Sequence, residues 1–502
     1  MKQRTKKFIT VTAGIIASYF VICIALFFFE PADYSAPDLT DYQYYFDLYE
    51  KYDISNNNKF YIKQISADDV VAFENDKRLK YVSNTVLTVA NEQYNYNEVT
   101  SLLNDYNAEI CGYISDVNFY QLEFIGDYSY NELMEQCQNL MNSGIFSSAV
   151  PDYFEETPVS EYSTEETEYI SELYYSMLNL DEAWKLYGNT ESANIGVIDF
   201  LIGRNEYLNI VNSDEFSDSV LDDITYASSV DHGTHVAGII GASHSSDVRG
   251  VIDNANIYSY CGINLSTSYW IANLCDMIIN NNVKAVNISM AYNSYINISA
   301  SLGCENAIEH IENEQKLFSD LLSNMIENGN EFVICTAAGN DGYASVYRTF
   351  GSYFSYGDKK ILNKIDILGI FDTEPDYVDA KYSFMMSNAP DDAVRDRIIT
   401  VGSVDSYYNY SLFSNCGSVD IAAPGEKIYS TVPNNEYVRY SGTSMATPFV
   451  TGTAAMIFSL DPDLTGAEVK NIIISSATNT VTTGEFTYPV LNIGEAVKNT
   501  IG

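Results

Sequence analysis

Over the C-terminal two thirds of the chain, short apolar runs alternate with stretches of helical spacing. Ala193–Ile198, Asn256–Tyr260, Lys284–Met290, Glu331–Ala337, Ile398–Val404 and Val419–Ala422 read as buried strands. Between them lie candidate helices at Thr234–Ile240, Tyr269–Ile279, Ala307–Glu327 and Met445–Phe458. A last helix opens on a capping box, Thr465-x-x-Glu468, just after Pro462. Strands without polar alternation are covered on both faces. The pattern therefore predicts an α/β domain over 169–502, a doubly wound parallel sheet with helices on both faces.

Upstream the periods change. Thr85–Val89 is a β-rich run, and Tyr96–Tyr106 has helical spacing with Val99, Leu102 and Leu103 on one side. Strands follow at Glu109–Ile114 and Tyr120–Phe124, then a helix at Tyr130–Met141, then a strand Phe146–Val150 that halts before Pro151. The order β-α-β-β-α-β predicts a small ferredoxin-like α+β domain over 80–155. Residues 30–79, rich in Tyr and Asp, read as a stalk. Residues 156–168, dense in glutamate and carrying Pro158, read as an exposed acidic linker.

The N-terminus bears on location. Phe8–Phe29 is a run of 22 residues without a charge. At about 1.5 Å per residue, a helix of that length spans the roughly 30 Å hydrocarbon layer. Lys2, Arg4, Lys6 and Lys7 precede it and acids follow, which predicts residues 1–7 in the cytoplasm and the rest outside. A cleaved signal peptide is the alternative, but its apolar region is normally shorter and ends in a small-x-small site. This one ends Phe27-Phe28-Phe29-Glu30-Pro31, so 8–29 reads as a transmembrane signal-anchor.

Charge removes whole classes of function. Against 26 Lys and Arg stand 68 Asp and Glu, a net charge of −42, which repels phosphate backbones and excludes nucleic acid as the main partner. Disorder does not follow, because 46% of residues are hydrophobic and 14% aromatic. Of the 8 cysteines, Cys23 lies in the apolar run. The rest are odd in number and lack C-x-x-C spacing, so neither a full disulfide framework nor zinc is indicated. They read mostly as small buried hydrophobes, with a Cys111–Cys137 bridge left open.

Candidate chemistry is concentrated in four places. Ile195-Gly196-Val197-Ile198-Asp199 ends an apolar strand on an acid. Two of the 4 histidines stand in His232-Gly233-Thr234-His235-Val236-Ala237-Gly238. Ala337-Ala338-Gly339-Asn340 ends another strand on an amide, and Ser441-Gly442-Thr443-Ser444-Met445-Ala446-Thr447-Pro448 puts a serine at a helix start. A serine hydroxyl needs a base within hydrogen-bond reach, and the base needs a carboxylate to hold its tautomer. An amide and backbone N–H groups at a helix N-terminus can stabilise an oxyanion. His235, on the same helix as His232, reads as a packing residue, as do His244 and His310 at the surface or in packing.

These motifs resemble those of the subtilisin-like serine peptidases, the subtilase family, in which acid, histidine, amide and serine follow in this chain order. The resemblance extends over about 165–500 through Val286-Asn287-Ile288-Ser289-Met290-Ala291, Ile399-Thr400-Val401-Gly402-Ser403-Val404, Phe413-Ser414-Asn415 and Ile421-Ala422-Ala423-Pro424-Gly425. It implies Asp199, His232 and Ser444 as the catalytic triad and Asn340 in the oxyanion hole. It further implies Ser289, Met290 and Ala291, with Ala337, Ala338 and Gly339, as the strands that bind substrate. No organic cofactor is implied; the family often binds structural calcium, though no EF-hand-like spacing is present. By position and element order, 80–155 is similar to the family's inhibitory propeptide, with Asp152–Pro158 as a natural first substrate and Tyr153 or Phe154 suited to an apolar pocket.

The chain departs from the family in three ways. Phe200-Leu201 follow the acid where Thr or Ser and then Gly are usual, removing a hydroxyl donor near the carboxylate and a permissive glycine. Phe449 replaces a common histidine, and residues 344–382 look inserted. The expected function is an extracytoplasmic, membrane-anchored serine endopeptidase acting on protein or peptide substrates and regulated by its own propeptide. The alternative is a catalytically silent surface protein that keeps the fold for binding.

Overall fold

The structure, a computed structural model, describes residues 59–65, 69–73, 79–155, 171–213, 230–262, 265–292, 300, 305–342 and 377–502. The expected tail, signal-anchor, acidic linker and most of the 344–382 insertion lie outside the described residues. Among the described residues no helix is long and apolar enough to cross a membrane.

The N-terminal unit is an antiparallel sheet with two helices. Its elements are β1 (Phe60–Tyr61), β2 (Val70–Ala72), β3 (Lys80–Ala90), α1 (Tyr96–Leu103), β4 (Ala108–Ile114), β5 (Phe119–Phe124), α2 (Tyr130–Asn142) and β6 (Phe146–Glu155). Both helices start on reciprocal caps, Asn95 with Glu98 and Ser129 with Glu132, and bury Val99 and Leu103 or Leu133, Cys137 and Leu140. The strand order is β1-β4-β5-β3-β6, with β2 also on β3.

Two boundaries differ from expectation. β1 and β2 lie in the segment read as stalk; strands of two and three residues carry too little pattern to be read from sequence. β6 does not stop at Pro151 but continues to Glu155. The β3–β6 register shifts between the Tyr81 and Val86 pairs, next to Pro151, and the strand then re-pairs Tyr153 with Tyr81 and Phe154 with Lys80. An irregularity of this kind accommodates the missing N–H of proline.

The larger unit comprises α3 (Ser171–Met177), α4 (Leu180–Tyr187), β7 (Ile195–Asp199), α5 (Val230–Gly241), β8 (Ile257–Cys261), β9 (Leu265–Ser266), α6 (Thr267–Cys275), β10 (Ala285–Ile288), α7 (Glu305–Glu327), β11 (Val333–Ala337), β12 (Ile398–Val404) and β13 (Ile421–Pro424). There follow β14 (Ile428–Val432), β15 (Glu436–Tyr440), α8 (Thr443–Leu460), α9 (Gly466–Ser475), β16 (Asn479–Thr483), β17 (Phe486–Val490) and α10 (Ile493–Ile501). The capping box at Thr465 and Glu468 is formed, but it opens α9, and α10 is the last helix.

The main sheet runs β16-β17-β13-β12-β11-β10-β7-β8, parallel throughout except for the β16–β17 hairpin. Strand order reverses between β7 and β10, the place where an open α/β sheet leaves a crevice at its carboxyl edge. α8 is buried from Thr443 to Phe458 and packs against the sheet and α5, as expected of a helix apolar on nearly all sides.

Candidate active site

Asp199 closes β7 beside the strand-order reversal, and its side chain is fully buried. Its Oδ1 accepts from the Phe200 N–H at 2.8 Å and lies 2.6 Å from His232 Nδ1. His232 sits in the first turn of α5. Gly233 lets that turn approach: a Cβ there would lie 2.1 Å from the Phe200 carbonyl oxygen. Burial disfavours a charged His232, but the Asp199 charge and hydrogen bond outweigh it and raise its pKa above the usual imidazole value. Neither Phe200 nor Leu201 has a positive φ, so the glycine missing after Asp199 is not required by this backbone.

The rest of the histidine motif anchors α5. His235 Nε2 donates to the Ile428 and Val438 carbonyls at 3.0 and 3.2 Å, while Ser430 Oγ and Thr431 Oγ1 donate to the His235 and Thr234 carbonyls. Burial, then the nearby His232, push the His235 pKa down to about 3. It is a neutral fastener between α5 and the β14–β15 hairpin, not a second base. His244 packs edge-on against Trp184, and His310 against Tyr153.

Ser444 occupies the second position of α8, where a backbone N–H has no intrahelical partner. Its Oγ donates to the Ser289 carbonyl at 2.9 Å, and Ser289 Oγ donates to the Ser444 carbonyl at 2.8 Å. The second bond explains how Pro448 is tolerated. Pro448 stands at the sixth position of α8, beyond its first turn, so the Ser444 carbonyl lacks its i+4 N–H, and the Ser289 hydroxyl replaces it. Asn287 and Thr451 extend this link between β10 and α8, since Asn287 Nδ2 donates to Ser289 Oγ and Thr451 Oγ1 to Asn287 Oδ1, each at 2.9 Å.

Asn340 follows β11 through Gly339, whose φ of +92° lies in the left-handed region. Asn340 Oδ1 accepts from Thr443 N at 2.9 Å and from Thr443 Oγ1 at 3.0 Å. A backbone N–H can only donate, so the oxygen faces Thr443 and the NH₂ group is left for another acceptor. The turn is held by Asn415, whose N–H donates to the Gly339 carbonyl at 3.0 Å and whose Oδ1 accepts from Asp341 N at 2.8 Å. Ser383 Oγ, which accepts from Asn415 Nδ2, donates to the Ala338 carbonyl. Ser383 was not singled out from sequence; Thr443 and Asn415 were named there only as parts of motifs, without a role.

The expected substrate-binding residues lie at the carboxyl ends of adjacent strands. Ser289, Met290 and Ala291 follow β10, and Ala337 closes β11 with Ala338 and Gly339 just after it. Ser289 is turned inward and 2% exposed, so its side chain fastens α8 and only its backbone is available for a substrate. Among the described residues no three or more His, Cys, Asp or Glu side chains gather as a metal site. Cys111 and Cys137 are separate buried thiols, so the bridge left open by sequence is not formed.

The antiparallel sheet of residues 60–155 packs on β9, α6 and α7. The end of β6 pairs with β9, Phe154 opposite Ser266 and Glu155 opposite Leu265. Asp152, fully buried, accepts from Ser268 N at 3.1 Å and Ser268 Oγ at 2.7 Å, capping α6 from β6. Tyr153 is fully buried and packs edge-on against His310 of α7 at 4.1 Å. Asn324 of α7 and Asn328 just beyond its end donate to the Val117 and Asp116 carbonyls.

Comparison with known proteins identifies the family. The model of the subtilase family matches residues 163–489. Subtilisin DY of Bacillus licheniformis is 30% identical over 253 residues, covering 49% of this chain and 70% of that protein. Subtilisin E of Bacillus subtilis is also 30% identical, over 50% of this chain and 52% of its own length, so the chain spans about half of that relative. Among solved structures, the prenylagaramide maturation protease PagA is 21% identical with a TM-score of 0.40, covering 64% of this chain and 99% of that one. A family match over well over half the chain, on a parallel sheet carrying Asp199, His232, Asn340 and Ser444 at its carboxyl edge, makes this protein a subtilisin-like serine peptidase of the subtilase family.

Proposed function

We propose that the chain is an extracytoplasmic serine endopeptidase, tethered through residues 8–29 and held in check by its 80–155 domain. The observation that carries the reading is the 2.6 Å contact between His232 and Asp199 beside a helix-start serine flanked by a pinned amide. In the resting arrangement Ser444 Oγ donates to the Ser289 carbonyl. Rotation about its χ1 turns the hydroxyl toward His232 Nε2, which takes the proton as Oγ attacks a peptide carbonyl. Asp199 holds the Nδ1–H and offsets the imidazolium charge. The oxyanion is met by Asn340 Nδ2 and the Ser444 N–H. His232 then protonates the leaving amine, and water releases the acyl group by the same path in reverse. The reaction needs no cofactor; a calcium ion, where bound, has a structural part only.

A fluorophosphonate probe tests this, because only an activated serine reacts. Wild type should label at Ser444, and Ser444→Ala should lose both label and hydrolysis. A folded wild type that neither labels nor cleaves would favour the catalytically silent binding protein.

A further inference from the structure

The two oxygens of Asp199 are not equivalent. Oδ1 carries both hydrogen bonds, from His232 and from the Phe200 N–H, while Oδ2 is buried and has no hydrogen-bond partner. An ionised carboxylate has room for about four donors, and a buried one without them is poorly compensated. The residue that follows offers none from its side chain. Phe200 is 7% exposed and sets its ring edge-on to the His232 ring, centroids 5.9 Å apart.

We propose that Phe200 is a positioning residue: it sets an apolar ring against His232 and offers Asp199 no side-chain donor, and so concentrates the carboxylate's interaction on His232 and makes that histidine a stronger base. The proposal rests on the triad reading above. Its physical basis is competition. Each donor given to Asp199 stabilises the carboxylate whether or not His232 is protonated, and weakens the gain from forming the imidazolium. With Oδ2 bare, compensation falls mainly to His232. Other groups around the pair do not substitute for this. Cys261 flanks Asp199 across the sheet, Asp231 and His235 share α5 with His232, and the neutral Ser444 hydroxyl comes from α8. His235 remains neutral in this range.

With only 4 histidines in the chain, the titration of His232 can be read directly by NMR on histidine-labelled full-length protein carrying Ser444→Ala. His232 should titrate above the ordinary value of about 6.5. Phe200→Thr, which restores a hydroxyl, should lower it by roughly half a pH unit or more. Phe200→Leu, apolar and without a donor, should leave it in place. A purely structural role for Phe200 would move neither variant selectively. The proposal is overturned if Phe200→Thr leaves the titration unchanged or raises it. Should that variant not fold, a wild-type His232 titrating at or below about 6.5 overturns it equally, and one above supports it. The catalytic reading fails separately, by peptide hydrolysis persisting in Ser444→Ala, whatever the titration shows.

Discussion

Docking of the N-terminal domain should weaken as pH rises through neutrality, and Asp152 is the reason. Burial, opposed by the Ser268 hydrogen bonds and reinforced by the charge of Glu314, pushes its pKa from 3.8 up to about 7. A carboxyl that holds its proton more tightly in the folded protein contributes stability in full at low pH and loses it as pH climbs through the folded value. Between pH 8 and pH 5 the folded group becomes protonated while an unfolded one stays ionised. At about 1.4 kcal/mol for each pH unit below the folded pKa, that step favours the docked state by about 2–3 kcal/mol. Asp152→Asn keeps the shape and removes the titration. Urea unfolding of the Ser444→Ala chain can be followed by tryptophan fluorescence, since Trp270, one of 2 tryptophans, lies buried in α6 next to the cap. Wild type should gain that 2–3 kcal/mol relative to Asp152→Asn on moving from pH 8 to pH 5. The competing effect is the positive N-terminus of α6, which favours the ionised form. A wild-type advantage that is equal at both pH values, or larger at pH 8, would mean that the helix end wins over burial.

Other consequences are open to measurement. Asn340→Ala should lower turnover by roughly 10²–10³-fold with the fold intact, the usual cost of one oxyanion donor; unaltered kcat would remove Asn340 from the mechanism. Ser289→Ala leaves the Ser444 carbonyl without a donor at Pro448 and should destabilise the chain by about 1–3 kcal/mol in denaturant melts; a neutral effect would show that the Ser289–Ser444 link is incidental. Self-cleavage should fall in the part of Asp152–Pro158 beyond Glu155 or in the linker after it, because Asp152, Tyr153 and Phe154 are buried in β6, which pairs with β3 and, at its end, with β9; N-terminal sequencing should find a terminus within 156–168 in wild type and none in Ser444→Ala. Protease added to intact cells should digest residues beyond 30 and spare the first seven, whereas a mature terminus near 29–36 would mark 8–29 as a cleaved signal.

Much of this protein was readable because its chemistry is local in sequence. The six buried strands of the larger domain and its central helices lie within a few residues of their expected places, as continuous apolar runs must when both faces of a sheet are covered. Asp199, His232, Asn340 and Ser444 each stand inside a short motif at the end of a strand or the start of a helix, so residue type and chain order were enough to nominate them. The two-residue strands β1 and β9, the half-exposed β14–β15 hairpin and the Thr-rich β16–β17 hairpin were not readable, because they are defined by pairing partners rather than by their own pattern.

What tertiary structure alone decided is which groups compensate one another. Pro448 is harmless because a serine 159 positions earlier lends a hydroxyl to the carbonyl that proline leaves bare. Asn340 is oriented by Thr443, α6 is capped by an aspartate of the distant strand β6, and one oxygen of Asp199 is left without a donor. Buried polar groups must find partners wherever the chain brings them, and those partners are set by packing across the sheet edge, not by spacing along the sequence.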